Sequence, residues 1–435
     1  MEAWKKRYGE YSDLESNYIS RKGIDWQEET LGRTALTQNY RISVSGKTDK
    51  MNYSLAYSYY DEEGAMVYSS NKKHNISFNI NHAVSNWLTI NSRISYDQMR
   101  IEGMGTSENT DRFNKMQHII QYRPTIGIQG ADADLLFGED PILADDSGNV
   151  MQNPLISAAE EINNREWRTF QANGGATIKL WKGFSFRSTV GMRYQTRRND
   201  IFYGADSQTA KRSSIYGSIT NIESSSLQNS NVLSYSWKNS SHDVAIMVGH
   251  EFVTKWTRQF SAGATQFPND EIGLADLSLG TPSTPTSNEN YDDKLLSFFT
   301  RVNYAHMNRY LFTASIRADG SSKFGKNNKW GYFPAVSAAW RLSEETFIKN
   351  IGIFSDLKLR IGYGLAGNNR INNYQSLAIM SSVTAASGNG AQAGYASNQV
   401  PNPDLKWEAN KTFNLGMDFG FINQRITFSP EFYIN

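Results

Sequence analysis

From Phe298 to Ala318 the chain alternates almost without interruption. Phe298, Val302, Tyr304, Tyr310, Phe312, Ala314 and Ile316 hold one phase, while Arg301, Asn303, Thr313, Ser315 and Arg317 hold the other. The break between the two runs is Met307-Asn308-Arg309. Period two on both sides of so short a break predicts a β-hairpin with one apolar face. The figure recurs, and seven hairpins are predicted: 40–46 with 51–59, 76–84 with 88–96, 170–180 with 184–194, 227–237 with 242–252, 298–306 with 310–318, 332–342 with 357–363, and 413–421 with 426–432. Their apolar phase carries no Lys, Arg, Asp or Glu, although 20% of the chain is charged. The interleaved phase holds Arg187, Arg193, Asp243, Glu251, Lys358 and Arg360.

A charge-free face fits the core of a soluble sandwich or propeller. It also fits the lipid face of a transmembrane barrel, where Arg or Lys costs about 2–4 kcal/mol. Link lengths favour the barrel. Within hairpins the turns are mostly short, as at Lys47–Lys50 and Ser85-Asn86, whereas the links between hairpins at 97–169, 195–226, 253–297 and 364–412 are long. Short turns on one rim and long loops on the other are the habit of outer-membrane barrels. Trp87, Trp181, Trp237, Trp340, Tyr96 and Tyr194 fall near predicted strand ends, where interfacial girdles lie. Mean hydropathy is −0.56, and no apolar run approaches the length of a membrane helix. The predicted fold is therefore all-β: a transmembrane antiparallel up-and-down barrel.

Other chemistry finds little support. Gly320–Asn327, GSSKFGKN, nearly matches a phosphate-binding loop, but Asn327 stands where a hydroxyl should ligate magnesium, and Trp330, Gly331 and Pro334 follow in place of a helix. It is read as a hairpin tip, with the turn beginning at Asp319-Gly320. A net charge of +1 points to no nucleic-acid partner, and the absence of cysteine excludes disulfides and thiolate metal sites. His242 and His250 share a face but stand about 26 Å apart at strand rise, too far for one metal. The acidic run from Asp132 to Asp146 lacks the calcium-loop spacing and reads as a solvated loop. No cofactor, metal or catalytic set is expected.

Four ordered motifs add a resemblance. Arg317–Gly325 with Gly331–Trp340, Leu357–Asn368, Asn402–Glu408, and near the start Asp25-Trp26 with Val44–Gly46, resemble SusC/RagA-like TonB-linked outer-membrane transporters. The resemblance implies import of an oligosaccharide or peptide in the bacterial outer membrane. It also implies a SusD-like surface lipoprotein as lid, outer-membrane lipid around the wall, and energy from TonB through a region ahead of this chain. Residues 1–38 are expected to form the junction between plug and barrel, and 39–435 the front two-thirds of the barrel. About 14 of the roughly 22 strands of a family barrel are expected, so the chain is read as a fragment lacking the plug and the last strands. An adhesin or enzyme on a barrel scaffold is the alternative.

Importers of neutral oligomers grip them with aromatic faces and polar groups. Tyr203, Tyr291, Trp330, Tyr374 and Tyr395 lie in the predicted loops. Trp330 and Tyr395 are the expected ligand contacts: the first at the base of a hairpin loop, the second in the small-residue run after Ser387.

Overall fold

The computed structural model describes residues 23–103, 115–122, 124, 128–129, 132–133, 139–144, 150–207, 210–211, 213–387 and 390–435. Most of the junction 1–38 and part of the acidic run lie outside the described residues.

One antiparallel sheet dominates. In chain order its strands are β1 (Thr37–Lys47), β2 (Met51–Glu63), β3 (Ser70–Ala83), β4 (Leu88–Glu102), β5 (Glu161–Lys179), β6 (Phe184–Tyr203), β7 (Tyr216–Lys238), β8 (His242–Thr265), β9 (Thr281–His306), β10 (Tyr310–Ser321), β11 (Trp330–Arg341) and β12 (Phe354–Asn368). The two-stranded ribbon β13 (Ile379–Ser387) and β14 (Gly390–Gln399) comes next. The sheet then resumes with β15 (Glu408–Phe421), β16 (Ile426–Phe428) and β17 (Glu431–Ile434). Each strand pairs with its chain neighbours in the sheet, an up-and-down order with no crossover. β16 and β17 both pair with β15, so they are two pieces of one strand interrupted at Ser429-Pro430. Proline has no N–H to give a ladder, which accounts for the break. The path thus has 14 positions, as the alternation predicts, and β1 does not pair with the far end.

The two faces differ as the phases predict. Ile42, Tyr57, Ile76, Tyr96, Phe170 and Tyr194 pair in one row across six strands, and Leu233, Val248, Thr300, Ile316 and Pro334 in another. Ile42 is 71% exposed and Ile316 46%. Buried residues of the opposite phase are polar: Ser95, Thr169, Gln195, Ser297, Asp319 and Ser321. Curvature crowds side chains on the inside of a sheet, so the polar phase faces inward and the apolar phase outward. A soluble sandwich has the reverse arrangement.

Among the described residues a small apolar cluster sits at the long-link end. Helix α1 (Trp26–Leu31) starts under Asp25, whose Oδ1 accepts from the backbone N–H of Gln27 and Glu28 at 3.1 and 3.2 Å. Trp26 meets Tyr122 edge-on at 5.1 Å. Met66, Ile119 and Ala158 pack together beside Leu31, joining helices α2 (Lys115–Gln121) and α3 (Pro154–Glu160) to the β2–β3 link.

The strands outrun their predicted ends. β6, β7, β8 and β9 have 20, 23, 24 and 26 residues, where about nine to eleven span a bilayer. The links expected at 195–226 and 253–297 are therefore mostly strand, leaving 204–215 and 266–280 between the ladders. The outward phase explains the error. On β4 to β8 one row reads Ile94, Ala172, Met192, Leu227, Thr254, and the next reads Tyr96, Phe170, Tyr194, Ser225, Trp256. The row above that is Gln98, Arg168, Thr196, Glu223, Arg258. Charge enters immediately above an aromatic border, so charge-free alternation ends there while the ladder continues.

Candidate ligand-binding face of the barrel wall

The hairpin tip GSSKFGKN is a clamped structure. β10 runs through Asp319, Gly320 and Ser321, so the turn begins later than the expected Asp319-Gly320, at Ser322. Phe324 is buried and lies 5.2 Å from Trp407, which also meets Phe333 edge-on at 5.3 Å. The Trp407 indole N–H donates to the Lys329 carbonyl at 3.0 Å. A Cβ at Gly325 would stand 2.5 Å from the Pro403 carbonyl oxygen, so only glycine lets the tip approach that backbone. The Asn402–Glu408 motif thus holds the tip down. The Lys323 ammonium pairs with Asp293 at 3.5 Å.

Two inward-facing arginines below the tip are compensated. Arg317 donates from Nε to Asp319 at 2.7 Å and from an Nη to Ser297 at 2.8 Å, and it reaches Glu251 at 3.5 Å. Its guanidinium lies 5.5 Å from the Phe299 ring. Arg360 binds Asp418 with two N–H groups at 2.9 and 3.0 Å, a fork geometry that fixes β12 against β15. Arg317 and Arg360 lie on the inward phase, and Phe312, Ile316 and Leu415 are exposed on the other phase.

Among the described residues, two clefts open on this inner face toward the long-link end. The larger, about 550 Å³, lies between the wall at Lys255, Thr257 and Asp293 and the segment Ile371–Asn373, with Ile379 and Gln399 of the ribbon at its edge. The smaller, about 200 Å³, is lined by Arg193, Gln195, Arg197 and Lys255 with Ser224 and Ser226. Lys255 belongs to both. The Gln399 amide donates to the carbonyls of Tyr374, Gln375 and Leu377, which ties the ribbon's base to the loop at the cleft mouth.

The residues expected to contact ligand fall in different places. Tyr395 lies on β14 opposite Ser382, 78% exposed, in the ribbon that borders the larger cleft. Trp330 is the first residue of β11 rather than part of a loop, and it pairs with Gly320 in the outward phase. Its ring stacks on Phe298 at 6.2 Å, and a Cβ at Gly320 would meet the indole at 3.0 Å. Tyr203 ends β6 and stacks on Tyr216 at 5.8 Å, and Tyr291 falls within β9, so neither lies in a loop. The cleft residues Arg193, Gln195 and Arg197 were missed by a search for aromatics. Their signal was available: three polar residues on the inward phase of a strand, at period two.

A family model described as TonB dependent receptor-like, beta-barrel matches residues 121–435. The chain belongs to the TonB-dependent receptor β-barrel family. Among curated relatives it is 28% identical to TonB-dependent receptor SusC of Bacteroides thetaiotaomicron, over 93% of this chain and 41% of that protein. It is 27% identical to TonB-dependent receptor P3 of Formosa agariphila, over 96% of this chain and again 41% of the relative. The chain therefore spans about two-fifths of the length of these relatives. It superposes on the RagAB peptide transporter with a TM-score of 0.77, covering 99% of this chain and 48% of that one at 22% identity. Its open sheet thus follows the wall of a TonB-dependent barrel.

Proposed function

We propose that this chain forms the barrel wall of a SusC-type importer in the bacterial outer membrane, taking up an oligosaccharide or a peptide. Residues 39–435 are assigned to the wall and 1–38 to the junction before it. A SusD-like surface lipoprotein and TonB are the proposed partners. The observation that carries this reading is the outward phase, free of charge up to an aromatic border and backed by a polar, cleft-bearing inner face. A lipid-facing wall requires the first, and passage of a hydrophilic oligomer requires the second.

Tyr395 is proposed to close over ligand from the ribbon beside the larger cleft. For Trp330, stacking on Phe298 in the outward phase favours an interfacial place over ligand contact. The test is deletion of the full-length gene in its own host, followed by growth on panels of oligosaccharides and peptides as sole nutrient. Loss of growth on one class, restored by the gene and abolished when TonB is absent, is the expected result. Growth unchanged on every oligomer would sink the importer reading.

A further inference from the structure

The acids of the inner wall near the clefts already have partners. Glu251 and Asp319 serve Arg317, Asp293 serves Lys323, and Asp97 accepts from the Asn75 amide at 2.6 Å. Among the described residues, Arg193, Arg197 and Lys255 form no ion pair, and all three line the smaller cleft. They are arranged rather than scattered. Arg193 is the cross-strand partner of Ser226, and Ser226 is the partner of Lys255, so Arg193 and Lys255 lie in one row across β6, β7 and β8. Arg197 stands four residues along β6 in the same phase. Its guanidinium lies 5.5 Å from the Trp167 ring, and its Nε donates to Gln195 at 2.9 Å. Gln195 is itself buried and donates to the Thr169 hydroxyl at 2.9 Å. A stacked and hydrogen-bonded guanidinium has lost much of its rotamer freedom, which preorganises its remaining N–H groups. Farther along the wall, Arg165 adds a fourth cation, with its Nε buried and without a hydrogen-bond partner.

Resting on the importer reading, we infer that the smaller cleft is an anion subsite and that the imported oligomer carries carboxylate or sulfate groups. Arg193 and Arg197 present planar forks suited to such groups, and Lys255 adds a point charge where the two clefts meet. The Ser224 and Ser226 hydroxyls supply neutral donors between them. An anion held there leaves the rest of the oligomer to extend into the larger cleft, under the ribbon that carries Tyr395.

The test is binding to the purified full-length receptor in detergent, measured by titration calorimetry, with uptake measured separately in cells. The probes are oligogalacturonate for carboxylate on sugar, a sulfated oligosaccharide, an oligoglutamate peptide, and a neutral maltooligosaccharide. At least one anionic probe is expected to bind with an affinity that falls steeply with added salt, while the neutral sugar binds weakly. Whichever anionic probe binds identifies the source of the charge. Arg193→Gln, Arg197→Gln and Lys255→Gln are each expected to weaken that probe about tenfold, the scale of a lost hydrogen bond to a charged group. The triple variant should abolish its binding while the folded barrel keeps its shifted mobility on unheated gels. Retained anionic affinity in the triple variant, or equal affinity for the neutral sugar, would overturn the inference. Import of a neutral oligomer would leave the importer reading standing and remove only this one. Charge-dependent binding without uptake would do the opposite.

Discussion

Two stretches of one strand face show how the solvent, rather than the fold, sets the chemistry of a residue. On β6, Val190, Met192 and Tyr194 point outward among apolar neighbours, and Thr196 and Arg198 point outward on the same ladder a few residues on. Above the aromatic border that outward phase is ionic. Arg168 pairs with Glu166 at 2.8 Å, Arg198 with Asp200 at 2.8 Å and Arg100 with Glu102 at 2.8 Å, while Gln98 donates to Glu166 at 2.7 Å. Backbone hydrogen bonding is continuous through both stretches; in the proposed outer-membrane setting only the surroundings change, from hydrocarbon to headgroup and water. Placing the same cation in each stretch separates them most sharply. Val190→Arg should cost about 2–4 kcal/mol of folding stability in bilayers, and Thr196→Arg within about 0.5 kcal/mol. Denaturant titration of the full-length barrel in lipid vesicles reads both. Equal costs would mean that the aromatic row does not mark a membrane boundary.

The next comparison sets the ribbon against the girdle. Tyr395→Ala should weaken binding of the imported oligomer by about 1–3 kcal/mol, the scale of a well-packed interface aromatic. Trp330→Ala should leave affinity unchanged and slightly weaken insertion, since its ring packs on Phe298 outside the wall. Calorimetry and heat-mobility assays on both variants decide between them. The opposite outcome, affinity lost only at Trp330, would return that residue to the ligand site and empty the ribbon of its role.

A smaller effect is expected at the clamp. Trp407→Phe keeps a ring over Phe324 and Phe333 but removes the N–H that reaches the Lys329 carbonyl. A loss of about 1 kcal/mol is expected, the net worth of one hydrogen bond. It should appear as faster proteolysis within 322–329 and nowhere else along the wall. Cleavage unchanged there would mean that the tip is held by Phe324 and Gly325 alone.

These contrasts also explain what the sequence made legible. Strand order, phase and hairpin pairing followed from period-two alternation, because a membrane-facing phase tolerates no charge and so leaves a clean pattern. Strand ends did not follow, since Gln98, Arg168 and Glu223 make the outward phase as polar as the inward one while the ladder goes on. That Trp330 begins a strand was hidden for a related reason. Its neighbours Lys329 and Gly331 look like a loop, whereas its pairing with Gly320 depends on register. The inner cleft was hidden for a third reason: Lys255 is distant in sequence from Arg193 and Arg197 and joins them only through the β6–β7–β8 register.

The smallest predicted effect lies beyond the border, where the links fold over the strand ends. Glu160 closes α3, and its backbone carbonyl accepts from Gly204 at 2.9 Å. Burial raises its carboxyl pKa above the ordinary 4.5, and the nearby Asp270 and Asp206 carboxylates raise it further. Asp270 is fixed by the Ala205 N–H at 3.0 Å, and Asp206 by Lys211 at 3.5 Å. A raised carboxyl binds more protons in the folded segment than in the opened one. Its contribution is therefore complete below about pH 4.5 and is lost as pH rises through the folded pKa. Glu160→Gln removes the ionisation without shortening the side chain. At pH 7 the variant should protect the amides of 154–160 and 204–207 from hydrogen exchange slightly better than the parent, by no more than about 0.5 kcal/mol. At pH 4 the two should exchange alike. A variant that exchanges faster at pH 7 would show that the charged carboxylate holds these links together, and that the cation of Lys211 outweighs the two neighbouring acids.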